Sequence, residues 1–72
     1  MTLRVEDDFA EFVAARWPDL EAVALVTTLE PRQARDATSA GLARLRADWD
    51  EVLEEGAPTL RARREVVARA LG

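Results

Sequence analysis

Along the 72 residues the apolar positions recur at intervals of three and four and never alternate, the spacing of one face of a helix and not of a strand. Four helical segments follow. The first, roughly Val5 to Arg16, places Val5, Phe9, Phe12 and Val13 on one face and opens on Glu6, Asp7 and Asp8, acids suited to the positive end of a helix dipole. The second begins at Pro18 in "WPDLEAVALVTTL" and is apolar nearly all round. Leu20, Val23, Ala24 and Thr27 lie on one side and Leu25, Val26 and Leu29 on the other. That pattern predicts a central helix covered by several neighbours, the spine of the core.

The third segment begins at Pro31 and runs to a stop at Gly56, with an inner stripe of Ala34, Thr38, Gly41, Leu42, Leu45, Trp49, Val52 and Leu53. The fourth begins at Pro58. It turns Leu60, Val66, Val67, Ala70 and Leu71 inward and Arg61, Glu65 and Arg69 outward, with Arg63 the odd residue inside the apolar arc. Three of the four starts fall on a proline, whose missing N–H is no loss in the first turn of a helix. With no period-two run, no Asn-Gly turn and no internal repeat, the fold class is all-α: a small four-helix bundle in a single domain spanning residues 1–72.

Composition thins the core of that bundle. Of the residues counted as hydrophobic, 14 are alanine and 21 are larger, so burial by a partner would add to a small stability margin. The absence of Cys removes disulfides and thiolate metal sites. No apolar run is long enough to cross a bilayer, and "MTLRVEDDF" is acidic where a signal peptide is basic and then apolar. A soluble, cytoplasmic protein without membrane contact is expected. Charge is uneven: residues 1–55 hold 6 Arg against 13 acids, a net −7, whereas residues 56–72 hold 4 Arg against Glu65, a net +3. Only the last helix is a candidate for phosphate contact.

The chemistry of catalysis is sparse. His, Cys, Tyr and Lys are absent and Ser39 has no base in sequence to activate it, so no enzyme and no cofactor is expected. Asp48, Asp50, Glu51, Glu54 and Glu55 fail as a calcium loop because Val52 and Leu53 stand where oxygen ligands are needed, and they read as a solvated helix face. Trp17 and Trp49 are expected in the core. One feature of the third segment stands out. Its wet side presents Asp36, Ala40, Ala43 and Ala47 at i, i+4, i+7 and i+11. Alanine there is either good helix-forming filler or a smooth stripe that lets another helix approach closely.

"FAEFVAARWPDLEAVALVTTLEPRQARDATSAGLARLRADW" resembles the second conserved region of bacterial extracytoplasmic-function RNA polymerase sigma factors, whose actinobacterial members read like "F-x-x-F-V-x-A-R-x-P-x-L" and "A-E-D-L-V-Q-E-A-L-A-R-L-W-R-R-W". Phe9, Phe12, Val13, Ala15, Arg16, Pro18 and Leu20 match the first pattern, and Ala34, Asp36, Leu42, Ala43, Arg44, Leu45 and Trp49 the second. "GAPTLRARREVVARAL" is similar to the family's following helix through Pro58, Arg63, Arg64, Val66 and Val67. The resemblance implies a role in transcription initiation, with the outer face of the long helix docking on the clamp helices of the polymerase β′ subunit. Carried over, that places Asp36, Ala40, Ala43, Arg44 and Ala47 toward polymerase and Arg61, Arg64 and Arg69 toward promoter phosphate. The family's Gln-Glu pair is Ser39-Ala40 here, its aromatic after "A-R-L" is Arg46, and its basic pair before Trp49 is Ala47-Asp48. The loop "EEGAP" has no aromatic to stack an unpaired base, so promoter DNA binding by the isolated domain is expected to be weak or absent. The alternative is a sigma-like protein-interaction module, a homodimer or adaptor, without promoter recognition.

Overall fold

In a computed structural model the chain is described from Val5 to Gly72, with side chains from Asp8 onward. The expected inward place of Val5 and the capping role of Glu6 and Asp7 lie outside the described side chains. The described residues form an all-α bundle of four helices with no strand: α1 (Val5–Thr28), α2 (Pro31–Ala47), α3 (Trp49–Glu55) and α4 (Pro58–Leu71). The helix count agrees with the periodicity, but two boundaries do not.

Pro18 does not start a helix; it lies inside α1. Its ring costs the Ala14 carbonyl a backbone partner, but Ala14 and Pro18 are both exposed, so water reaches that carbonyl. Burial holds the two halves in line. Phe9, Phe12, Val13 and Trp17 before and around the proline, and Leu20 and Ala24 after it, share one apolar stripe against the core. Trp17 Nε1 also donates to Glu21 Oε2 at 2.6 Å across the proline. Trp17 is half-buried at the core margin, not inside the core as the sequence predicts.

The second boundary is Asp48, where the expected long third helix divides into α2 and α3. Asp48 has φ −106° and ψ 17°, and its amide is shared between the carbonyls of Arg44 (3.3 Å) and Leu45 (3.2 Å). Helix α3 then ends on Gly56, whose φ of +79° is the left-handed conformation open to glycine. Helix α1 ends less comfortably. Leu29 takes φ +59° after Thr28, and Glu30 follows as the N-cap of α2, its carboxylate accepting the Arg32 and Gln33 amides at 3.1 and 2.8 Å.

The core is assembled around α2. Ala34, Ala37, Thr38, Gly41, Leu42 and Leu45 are buried, and the Thr38 hydroxyl donates to the Ala34 carbonyl at 2.8 Å. Trp49 caps one end: the Phe9 ring meets it edge-on at 5.2 Å and Phe12 lies tilted at 5.3 Å. Its buried indole N–H has no acceptor among the described residues. Helix α2 packs most extensively on α4. A Cβ on Gly41 would stand 2.7 Å from Val66 Cγ2 and 2.8 Å from the Val66 Cα and N, so the crossing depends on a bare glycine.

Several apolar positions face outward against expectation. Leu25, Val26 and Leu29 are exposed and Val23 is only half-buried, because α1 is covered by α2 and α4 on one side alone. Leu53, Leu60 and Leu71 are exposed too, while Ala37 and Ala62 are buried in their place. The close α2–α4 crossing leaves room for alanine, not leucine.

Two substitutions check this account. Gly41→Ala is expected to lower unfolding free energy by about 1–3 kcal/mol, since the added methyl must displace α4 backbone; a denaturant midpoint equal to wild type would remove the close crossing. Pro18→Ala is expected to raise stability by about 1 kcal/mol or more, part of the roughly 3 kcal/mol that proline costs inside a helix. A loss of stability would show that the bundle needs a break at that position.

Candidate interaction surface

The face of α2 opposite its buried side is open. Asp36, Ala40, Ala43, Arg44 and Ala47 are all exposed, because the residues that recur toward the core, from Ala34 to Leu45, fix the rotation of the helix. The outer stripe read from the sequence is thus brought together on one surface. Three of its five members are alanines, short and uncharged, and a second helix could lie against them at short interaxial distance. Beside Asp36 and Ala40 a surface groove of about 580 Å³ separates α2 from the end of α4, walled by Thr28, Gln33, Arg69 and Leu71.

Along the same α2–α4 seam runs a row of charges. Arg61 was expected to point outward, yet its side chain is only 21% exposed. Its Nη2 donates to Asp48 Oδ2 at 2.9 Å, its Nη1 to the Glu55 carboxylate at 3.3 Å and its Nε to Glu65 Oε2 at 3.0 Å. Asp48 also holds Arg44 at 3.2 Å. Glu65 also accepts from Arg69, at 2.7 Å through its carboxylate and 3.1 Å through its backbone carbonyl. The Glu65 hydrogen bond raises the Arg61 pKa above its ordinary value, with further help from Glu55. The guanidinium therefore stays charged, and the stability it brings persists up to strongly alkaline pH, where its proton is lost.

The three arginines assigned to phosphate are consequently unlike one another. Arg61 faces three carboxylates, Arg69 is held by Glu65, and Arg64 is exposed and in no ion pair among the described residues. Helical phase turns Arg64 away from the seam that holds the other two. Arg63, placed by periodicity inside the apolar arc, is exposed and borders a groove with Arg16 and Asp19 of α1. The organising role of Arg61 was missed in the sequence because its partners are 13 residues before it, six before it and four after it. Only the last of these is a spacing that a helix pattern reveals.

Among the described residues no cluster of acids is arranged to hold a metal ion, and no helix is long and apolar enough to cross a membrane. Removing the hub by Arg61→Met is expected to lower the denaturation midpoint at low salt, with the difference from wild type shrinking toward 1 M salt as screening weakens the pairs. Equal midpoints at low salt would show that the three ion pairs of Arg61 contribute nothing to holding α4 against the α2–α3 junction.

Comparison of the chain with known protein families, with curated proteins and with solved structures finds no match.

Proposed function

We propose that this chain is a sigma-region-two-like docking module in transcription initiation, which binds the clamp helices of RNA polymerase β′ through the outer face of α2. The observation that carries the reading is the exposure of Asp36, Ala40, Ala43, Arg44 and Ala47 on one continuous helix face directly opposite the core. Small residues permit close helix approach. Asp36 and Arg44 supply charges of opposite sign that orient a charged helical partner. The sequence resemblance supplies the identity of that partner. The thin, alanine-rich core supports the same reading, since a partner that binds only the folded chain stabilises it by mass action.

Promoter contact has less support than polymerase docking. Arg61 and Arg69 already satisfy carboxylates: moving Arg61 to a phosphate would strip Glu55 of its cation and take one of two from Asp48 and from Glu65, and moving Arg69 would take one of two from Glu65. DNA binding by this domain alone is therefore a minor part of the proposed activity.

The test is retention of the chain by an immobilised clamp-helix fragment, with sedimentation of wild type beside Ala43→Glu. Wild type is expected to be retained. Ala43→Glu is expected to lose retention while keeping its helicity and its stability within about 0.5 kcal/mol, as befits an exposed position. No retention of wild type, or equal retention of both proteins, overturns polymerase docking. A wild-type dimer that Ala43→Glu dissociates would instead assign the same face to a second copy.

A further inference from the structure

A second surface, on the far side of α4 from the α2 seam, is apolar and basic together. Helices α1 and α4 run in the same direction: Arg16, Asp19, Leu20 and Val23 meet Thr59 and Arg63 in one groove, and at the other end Thr28 lies beside the last residues of α4. In that arrangement Val26 follows Val23 along the outer edge of α1. On α4, Leu60, Arg64, Val67 and Leu71 recur at i, i+4, i+7 and i+11 along the facing edge. Val26 is 76% exposed, Leu60 55% and Leu71 74%. Arg63, Arg64, Val67 and Leu71 surround a shallow apolar depression of about 410 Å³.

Exposed large apolar side chains of this number are costly in a chain with so few of them, and charge says what covers them. The body of the protein is acidic, but this face carries Arg16, Arg63 and Arg64, none of them in an ion pair among the described residues, with Asp19 the one acid in the groove. A symmetric contact between two copies would set Arg63 and Arg64 of one α4 against those of the other. Helix α3 of a second copy is acidic but only seven residues long, with Leu53 as its one large exposed apolar residue. Nucleic acid would satisfy the arginines and leave Leu60, Val67 and Leu71 uncovered.

From this complementarity we propose that the α1–α4 face binds an acidic amphipathic helix of a partner protein. The partner's apolar stripe covers Val26, Val67 and Leu71, and its flanking carboxylates pair with Arg63 and Arg64. The site goes beyond polymerase docking and uses none of the α2 stripe.

The experiment uses the whole chain and a synthetic amphipathic peptide of about 18 residues, five helical turns, with leucine on one face and glutamate on the other. A lysine version of the same peptide is the comparison. Backbone NMR shifts are expected to saturate with the glutamate peptide and to cluster on the second half of α1 and on α4. The lysine peptide is expected to bind at least about tenfold more weakly. Leu71→Glu, at an exposed position that does not endanger folding, is expected to reduce binding of the glutamate peptide by about tenfold or more. Arg63→Glu with Arg64→Glu is expected to reverse the preference between the peptides, a change that misfolding cannot produce. Ala43→Glu is expected to bind the glutamate peptide as wild type does, whatever its effect on clamp binding. Absence of saturation, equal affinity for both peptides, or shifts centred on Ala43 would overturn the proposal. So would tighter binding of the same face to single-stranded DNA or phosphatidylglycerol vesicles, or a wild-type dimer dissociated by Leu71→Glu.

Discussion

The close passage of α4 over Gly41 sets the positions of nearly everything else. Because a Cβ at that point would stand within 3 Å of Val66 backbone atoms, α2 and α4 cross at a distance that only glycine permits. The short distance is what buries Ala37, Ala62 and Val66 with so little side-chain volume. It also explains which leucines fail to reach the core. Once the two helices are that close, the inner positions are filled by alanine and valine, and Leu60 and Leu71 are left on the outer edge of α4.

The same crossing brings α4 within reach of the α2–α3 junction. Arg61 can meet Asp48, Glu55 and Glu65 together only if α2 breaks at Asp48 and the chain turns back sharply through Gly56 and Pro58. A single exposed ion pair contributes little, but a guanidinium shared among three carboxylates fixes the direction of a turn that few apolar contacts would hold. Charge thus does at this end of the bundle what Trp49 and the two phenylalanines do on the α1 side.

These constraints divide the surface. The outer face of α2 is left smooth because its two flanking helices lie below it, and the α2–α4 seam is electrically neutralised by its own acids. The outer edge of α1 and α4 keeps both its apolar side chains and its arginines. A chain with a net +3 on its last 17 residues therefore does not present a uniformly basic helix: one side of α4 is spent on intramolecular pairing, and on the other Arg63 and Arg64 form no ion pair among the described residues. The two proposed interactions, helix on the α2 stripe and acidic helix on the α1–α4 edge, fall on opposite sides of α4 and do not compete for residues.

Periodicity alone determined the helical class, the starts at Pro31 and Pro58, the stop at Gly56 and the inner stripe from Ala34 to Val52 that runs through α2 into α3, because each rests on spacing within a few residues. It also placed Asp36, Ala40, Ala43 and Ala47 on one outer face, since a buried stripe fixes its own opposite. It could not decide Pro18. A proline fits the start of a helix and, where its surroundings are wet, also survives inside one, and only the shared packing of Phe12, Trp17 and Leu20 on one surface selects the second. Nor could it decide which apolar residues are covered. Leu25, Val26 and Leu71 satisfy helical spacing as well as Leu20 and Val66 do, but burial depends on which side a neighbouring helix occupies. The place of Arg61 likewise came from three-dimensional proximity, because a charge 13 residues from its partner leaves no local pattern, and its energy is set by distances that only the packed helices create.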